Sequence, residues 1–194
     1  NKPLPLNPMA RATYPDKYSE TGYSTEKTYA AASRAADTIS YGFSLGKVQE
    51  SLLEEVIEKG IDESLDNGTS FTMKDLGEKL EEFANKKGPN KASYLGLAAQ
   101  VKPLYKSEIF GDQNENESIW DIVSNSDGTE KTVSVFQFYM VSPTPTYIAV
   151  DLILRDLWNY AIQRQTTEST PHVIVLDEFQ NLSLKNDSPV RKIL

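Results

Sequence analysis

The strongest constraint on the fold comes from residues 173–176, a run of four apolar residues that leads directly into two acids, Asp177 and Glu178. A strand that is apolar throughout is typical of a parallel sheet covered on both faces. Residues 132–140 (TVSVFQFYM) are β-branched and aromatic, and they predict another strand. Residues 147–165 are apolar on nearly all sides and predict a buried helix between the two strands. Together these three segments predict a βαβ crossover.

Four helical patterns precede the crossover. Residues 24–40 are rich in alanine and predict a first helix, with Ser24 or Thr25 as its N-cap. Residues 45–60 place apolar side chains on one helical face and predict a second helix. Gly60 is expected to end that helix, because glycine often follows the last helical residue.

Two further helices are predicted before residue 111. Thr72 is expected to cap the third helix, because Asp75 stands three residues later in a variant of the capping box. The KKGP sequence at residues 86–89 is expected to end it. Residues 93–110 predict a fourth helix, which Pro103 should kink or end early. The patterns therefore divide the chain into an extended segment (1–24), a helical bundle (25–110) and a partial α/β core (111–194).

Composition excludes several classes of site. The 194 residues contain no cysteine and one histidine, His172, which excludes disulfides and thiolate metal sites and disfavours a multi-histidine site. The net charge of −8 argues against a basic domain that coats nucleic acid. Lys86 and Lys87 make only a small basic spot, and Tyr18 and Tyr23 are expected to pack rather than to stack on bases.

No targeting or membrane signal is visible in these residues. No apolar run approaches the roughly 20 residues that a membrane helix needs. The first residues lack the apolar central region of a signal peptide. These observations predict a cytoplasmic protein without a membrane partner.

The acid pair suggests nucleotide chemistry. Open α/β sheets bind ligands at the carboxyl ends of their strands, and an acid there can hold magnesium. Neighbouring residues of a strand point to opposite sides, so Asp177 would hold the metal while Glu178 orients the attacking water. The alternative is a strand that ends in solvent, with two acids at its exit.

A nucleotide site also needs a phosphate-binding loop of the form GxxxxGK[ST]. The nearest sequence is GFSLGKV at residues 42–48, which has one residue too few between its glycines and a valine, Val48, in place of the hydroxyl. We therefore interpret Lys47 as a solvated residue in the first turn of a helix. The chain then contains only the carboxylate half of a nucleotide site.

The order of these features resembles the HerA/VirB4 group of ring-forming DNA translocases and conjugation ATPases, which are relatives of FtsK. LPLNPM (4–9), GKVQESLLEEVI (46–57) and FTMKDLGEKLEEF (71–83) are similar to the start and the helices of that group's inserted bundle. TVSVFQF (132–138) and VIVLDEFQNL (173–182) are similar to its next strand and its Walker B strand. DEFQNL (177–182) and SPxxKIL (188–194) are similar to sequences in HerA-like proteins of bacterial defence loci, of the DptH type. The P-loop and the sensor strand of the group are missing, so the resemblance implies an internal part of a longer ATPase.

The resemblance implies an α/β fold, in which a partial RecA-like P-loop core with its Walker B strand carries an inserted helical bundle. It implies that Asp177 binds Mg²⁺, that Glu178 is the catalytic glutamate, and that Gln180 and Asn181 lie near the γ-phosphate of ATP. The intact protein would be a homo-oligomeric ring such as a hexamer, acting on DNA with a nuclease or defence-system partner. The chain by itself would be inactive.

Two other functions remain open. The sequence DEFQ at residues 177–180 superficially fits motif II of a DExx helicase, although four consecutive helices argue against that class. The chain could instead be a non-catalytic helical interaction domain with a small α/β appendage, in which Asp177 and Glu178 point to open solvent. The motor interpretation requires residues 132–138 and 173–177 to be neighbouring parallel strands.

Overall fold

The computed structural model describes residues 6–16, 18–86, 88–107, 109–111, 133–138, 141–163 and 173–175. These residues are mostly helical, and their only strands form a short hairpin. The hairpin consists of β1 (Thr13–Pro15) and β2 (Tyr23–Thr25), which pair antiparallel. The helices are α1 (Thr28–Phe43), α2 (Lys47–Asp66), α3 (Met73–Asn85), α4 (Lys91–Lys106) and α5 (Pro143–Gln163).

The predicted α/β class, with a partial RecA-like core of parallel strands, is wrong. Among the described residues the paired strands are β1 and β2, and no parallel sheet is present. Residues 133–138 and 173–175, which belong to the two predicted strands, have no regular structure. Val133 and Val173 are 74% and 83% exposed. A β-branched sequence favours a strand only where other strands pair with it and another layer covers it, and the described residues supply neither.

The helices pack as two neighbouring pairs with α5 laid against the first. α1 lies against α2, α3 lies against α4, and α5 contacts α1. The buried face of α1 carries small side chains at Ala31, Ala32, Ala35 and Ala36, which lets its neighbours approach closely. Larger fully buried side chains fill the interior between the helices, and they include Ile39, Leu53, Leu76, Leu80, Leu97, Leu104 and Ile148.

The first helix begins later than its sequence pattern predicts. Lys27 stands at the N-cap of α1, so the prediction of Ser24 or Thr25 as the cap is wrong. Both residues belong to β2, where Ser24 pairs with Tyr14 and Thr25 pairs with Thr13. Strand pairing therefore takes precedence over local capping preference at this point.

The second helix does not end at Gly60, and that prediction is also wrong. α2 continues to Asp66, and Gly60 is buried inside it. A Cβ atom on Gly60 would lie only 2.2 Å from the ring of Phe71. The glycine is therefore needed because the ring packs directly on the helix backbone, and not because the helix stops there.

The capping box of the third helix is confirmed. The backbone N–H of Thr72 donates to Oδ2 of Asp75 at 2.8 Å, and the N–H of Asp75 donates to Oγ1 of Thr72 at 3.3 Å. α3 ends at Asn85, directly before the predicted KKGP stop. α4 contains Pro103 and ends three residues later at Lys106, earlier than its apolar pattern alone predicts.

The N-terminal segment lies across the bundle and is buried there. Leu6 and Met9 are 3% and 2% exposed. The Asn7 side chain donates to the carbonyl oxygen of Phe71 at 2.8 Å, and its Oδ1 accepts the N–H of Met9 at 3.1 Å. These bonds hold residues 6–9 against the loop between α2 and α3.

Candidate functional site

The predicted nucleotide site lies outside the described residues. Asp177, Glu178, Gln180 and Asn181 are not among them, so their expected roles remain predictions. The described stretch nearest to them in sequence is 173–175, which is exposed and irregular.

The phosphate-loop lookalike at residues 42–48 links two helices. Gly42 belongs to the last turn of α1, and Lys47 begins α2. The Lys47 side chain is 91% exposed and its Nζ lies 3.0 Å from Oε1 of Glu50. This hydrogen bond raises the pKa of Lys47. The interpretation of Lys47 as a solvated first-turn residue is therefore confirmed.

The buried carboxylate of Asp151 is a polar feature that sequence reasoning missed. Asp151 is fully buried on α5, and its Oδ2 accepts hydrogen bonds from Thr38 Oγ1 at 2.9 Å and from Arg155 Nε at 2.8 Å. Its Oδ1 has no partner among the described residues. A buried carboxylate is tolerated only when it is paired and hydrogen-bonded, so these three residues fix how α5 lies on α1. The available signal was an Asp and an Arg four residues apart inside an apolar helix.

An ionic network joins α2 to α3 at the surface. Lys79 forms ion pairs with Glu63 and with Glu82, the latter at 2.8 Å, and Lys86 pairs with Glu82 at the same distance. The hydrogen bonds from Lys79 and then Lys86 lower the pKa of Glu82 to about 2. The hydrogen bond to Glu63 is the largest cause of the raised pKa of Lys79. The network links α2 to α3 and to the residue that follows α3.

The hairpin exposes tyrosines that were expected to pack. Tyr18 is 87% exposed and Tyr23 is 55% exposed, so the prediction is wrong for both. The backbone N–H of Tyr18 donates to Oδ1 of Asp16 at 2.9 Å, and Asp16 also accepts a hydrogen bond from Ser24. These bonds lower the pKa of Asp16, with the Ser24 bond as the largest cause. The turn is thus ordered by polar groups, and both tyrosines remain mostly exposed.

Neither a metal centre nor a membrane helix is found in the described part of the chain. No three of its Asp, Glu, His or Cys side chains gather in a way that could hold a metal ion. None of its helices combines the length and the apolar character that crossing a bilayer requires. The predicted magnesium ligand, Asp177, lies outside the described residues.

Comparison of the chain with protein-family models, with curated protein sequences and with solved structures gives no significant match. The resemblance to the HerA/VirB4 group therefore remains a prediction from the sequence.

Proposed function

We propose that this chain is part of a cytoplasmic ATP hydrolase of the HerA/VirB4 type, which couples ATP hydrolysis to the translocation or processing of DNA. The observation that carries the proposal is the apolar run 173–176 followed directly by Asp177 and Glu178. Asp177 would bind Mg²⁺ and Glu178 would orient the attacking water, with Gln180 and Asn181 near the γ-phosphate. The proposal includes no parallel sheet formed by this chain alone, because the described residues form none.

The helical block gives the proposal structural support. Helices α1 to α4 occupy the part of the chain that the resemblance assigns to an inserted bundle. The NP sequence at residues 7–8 lies in a buried segment on that bundle, where the resemblance places the start of the insertion. These agreements concern the bundle only, and they leave the ATP site to be tested.

The exposed valines show what the proposal still requires, because the described parts of the two predicted strands do not pair with each other. Val133, Val135, Val173 and Val175 are between 73% and 85% exposed. Covering such side chains is favourable by roughly 25 cal/mol per Å² of apolar surface. The proposal requires further strands to cover them and a phosphate-binding loop to complete the site, and both would come from residues other than these 194. The intact protein would be a homo-oligomeric ring that acts on DNA with a nuclease or defence-system partner. In that ring Asp177 and Glu178 would form an ATP site together with the outside phosphate-binding loop.

A non-catalytic helical interaction domain is the second candidate. It is favoured by the observation that the described residues form a helical core, while 133–138 and 173–175 do not pair as strands. In that case Asp177 and Glu178 would be surface acids without a catalytic role.

ATP hydrolysis distinguishes the two candidates. We expect the 194-residue chain to show no Mg²⁺-dependent hydrolysis, and a longer protein that includes its neighbouring sequence to hydrolyse ATP. In the longer protein Glu178→Gln should lower kcat by about 10²- to 10⁴-fold and preserve ATP binding, because it removes the group that orients water. Asp177→Asn should weaken the dependence on Mg²⁺.

The matched control is Glu81→Gln, which changes an exposed glutamate on α3 and should leave the rate unchanged. Full activity of the Glu178→Gln variant would overturn the proposal and favour the interaction domain. Glu178-dependent hydrolysis by the 194-residue chain would show that no outside phosphate loop is needed.

A further inference from the structure

A cleft of about 380 Å³ opens at one end of the block formed by α2, α3 and α4. It lies between α2, the C-terminal end of α3 and the first turn of α4. The lining includes three lysines, two aromatic residues and one acid, namely Glu55, Lys59, Phe83, Lys86, Lys91 and Tyr94. The sequence shows only the basic spot at Lys86 and Lys87, because Lys59 and Lys91 reach the cleft from other helices.

The lysines hold positive charge close together around one ring. The Nζ atoms of Lys59 and Lys86 lie 5.5 Å and 4.5 Å from the centroid of Phe83. Both distances end at the same centroid, so the two nitrogens are at most 10 Å apart, the sum of the two. That limit is close to the Debye length of about 8 Å in physiological salt, so the repulsion between the two charges is screened in part. The ring face offsets part of this repulsion by cation–π attraction.

Two acids close to the cleft, Glu82 and Glu55, each have a partner among the residues that line it. Glu82 pairs with Lys86 at 2.8 Å, and Glu55 accepts the hydroxyl of Tyr94 at 3.3 Å. Burial and then Glu55 raise the pKa of Tyr94, so it remains a neutral donor. Lys59 and Lys91 form no ion pair within the described part of the chain. Three lysines and one glutamate line the cleft, so its lining carries a net positive charge in a chain whose net charge is −8.

We infer that this cleft binds a phosphate group, carried either by a nucleic-acid backbone or by free phosphate. A phosphate offers several acceptor oxygens and can accept from more than one ammonium group, which relieves the repulsion between them. The first turn of α4 contains no acidic side chain that would repel an anion. Phe83 and Tyr94 are each only 8% exposed, so the rings are too deeply buried to stack on a base. The contact is thus with phosphate and not with a nucleobase.

This inference is independent of the proposed ATP hydrolysis, because neither Asp177 nor Glu178 lines the cleft. The test is an NMR titration of the purified 194-residue chain at low salt, first with inorganic phosphate and separately with a short oligothymidylate. We expect the amide resonances of Lys59, Lys91 and Tyr94 and the ring protons of Phe83 to move with either probe. An oligothymidylate that binds more tightly than phosphate, with an affinity that falls as salt rises, identifies a nucleic-acid backbone as the source. Equal or tighter binding of inorganic phosphate identifies free phosphate.

Two charge-matched double variants decide whether the cleft is the site. Lys59→Gln with Lys91→Gln should weaken binding of the tighter probe about fivefold or more. Lys27→Gln with Lys102→Gln removes the same charge from exposed positions elsewhere and should leave the affinity within about twofold. Unchanged amide spectra of the free variants show that both retain the fold. The inference is overturned if neither probe moves the cleft resonances, or if the two double variants lose affinity equally.

Discussion

Arg34 and Glu26 form a two-point ion pair that holds the N-terminal segment on the helical bundle. Nε of Arg34 lies 3.2 Å from Oε1 of Glu26, and Nη2 lies 2.9 Å from Oε2. The same guanidinium donates to the carbonyl oxygens of Pro8 at 3.1 Å and Ala10 at 2.7 Å. Glu26 also accepts the backbone N–H of Ala12 at 3.1 Å. Arg34 and Glu26 together therefore satisfy three backbone groups of the segment, at Pro8, Ala10 and Ala12.

We expect Arg34→Met to lower the free energy of unfolding by about 3 kcal/mol, because it leaves the buried Glu26 carboxylate without its cation. Urea unfolding at neutral pH, followed by circular dichroism, measures the change. The matched control is Lys47→Met, which breaks the exposed pair with Glu50 and should leave the free energy of unfolding nearly unchanged. Similar losses in the two variants would contradict the role assigned to Arg34.

Gly60→Ala should destabilise the protein by about 1–3 kcal/mol, because the added Cβ would lie 2.2 Å from the Phe71 ring and would force it to move. Gly96→Ala on α4 is the control, since no heavy atom lies within 4 Å of its added Cβ. That change should stabilise the protein by about 0.5–1 kcal/mol through helix propensity. Thermal or urea unfolding of both variants gives the comparison, and opposite signs are expected.

Asp151 and Arg155 should behave as a coupled pair in a double-mutant cycle. Asp151→Leu and Arg155→Met are each expected to cost about 2–4 kcal/mol, because each leaves one charged partner without the other. The double variant should cost less than the sum of the single changes by at least about 1 kcal/mol. Additive losses, measured by urea unfolding, would show that the ion pair does not couple the two residues.

Glu82 should make stability depend on pH in the acidic range. Folding lowers the pKa of Glu82 to about 2, so the ionised carboxylate stabilises the folded state. This contribution is present above the unfolded pKa of about 4.3 and is lost as pH falls toward 2. Glu82→Gln should therefore reduce stability by up to about 1 kcal/mol near neutral pH, and by only a small part of that at about pH 2, where half of the folded-state carboxylate is protonated.

The control for this pH series is Glu81→Gln, on the same helix. Glu81 is exposed and forms no ion pair within the residues that the structure describes. Unfolding curves at several pH values should show no comparable difference for this variant. A Glu82→Gln effect that is as large at about pH 2 as at neutral pH would contradict the ionic explanation.

Local sequence rules predicted the features whose causes are local. Thr72 and Asp75 are three residues apart, so their reciprocal capping bonds follow from the helix start itself. The helix predicted within residues 93–110 is also present as α4, and its buried face carries Leu97, Val101 and Leu104. In both cases the information needed is contained in one turn or one face of a helix.

Features that depend on distant residues could not be read in this way. Gly60 has the sequence signature of a helix end, yet its role is set by the ring of Phe71 in the following loop. Thr38 and Asp151 are 113 residues apart, and no local pattern joins them. The runs at 133–138 and 173–175 carry β-branched residues, but whether they become strands depends on partners that a local pattern cannot identify. The fold class was therefore wrong although most of the helices were predicted.

The bond between the Asn7 side chain and the Phe71 carbonyl also affects the order of folding. It spans 64 residues, and closing so long a loop is entropically unfavourable until α1 and α2 have formed. The N-terminal segment should accordingly reach its native position after the folding transition state. Substitutions at Asn7 would then accelerate unfolding and leave the folding rate nearly unchanged.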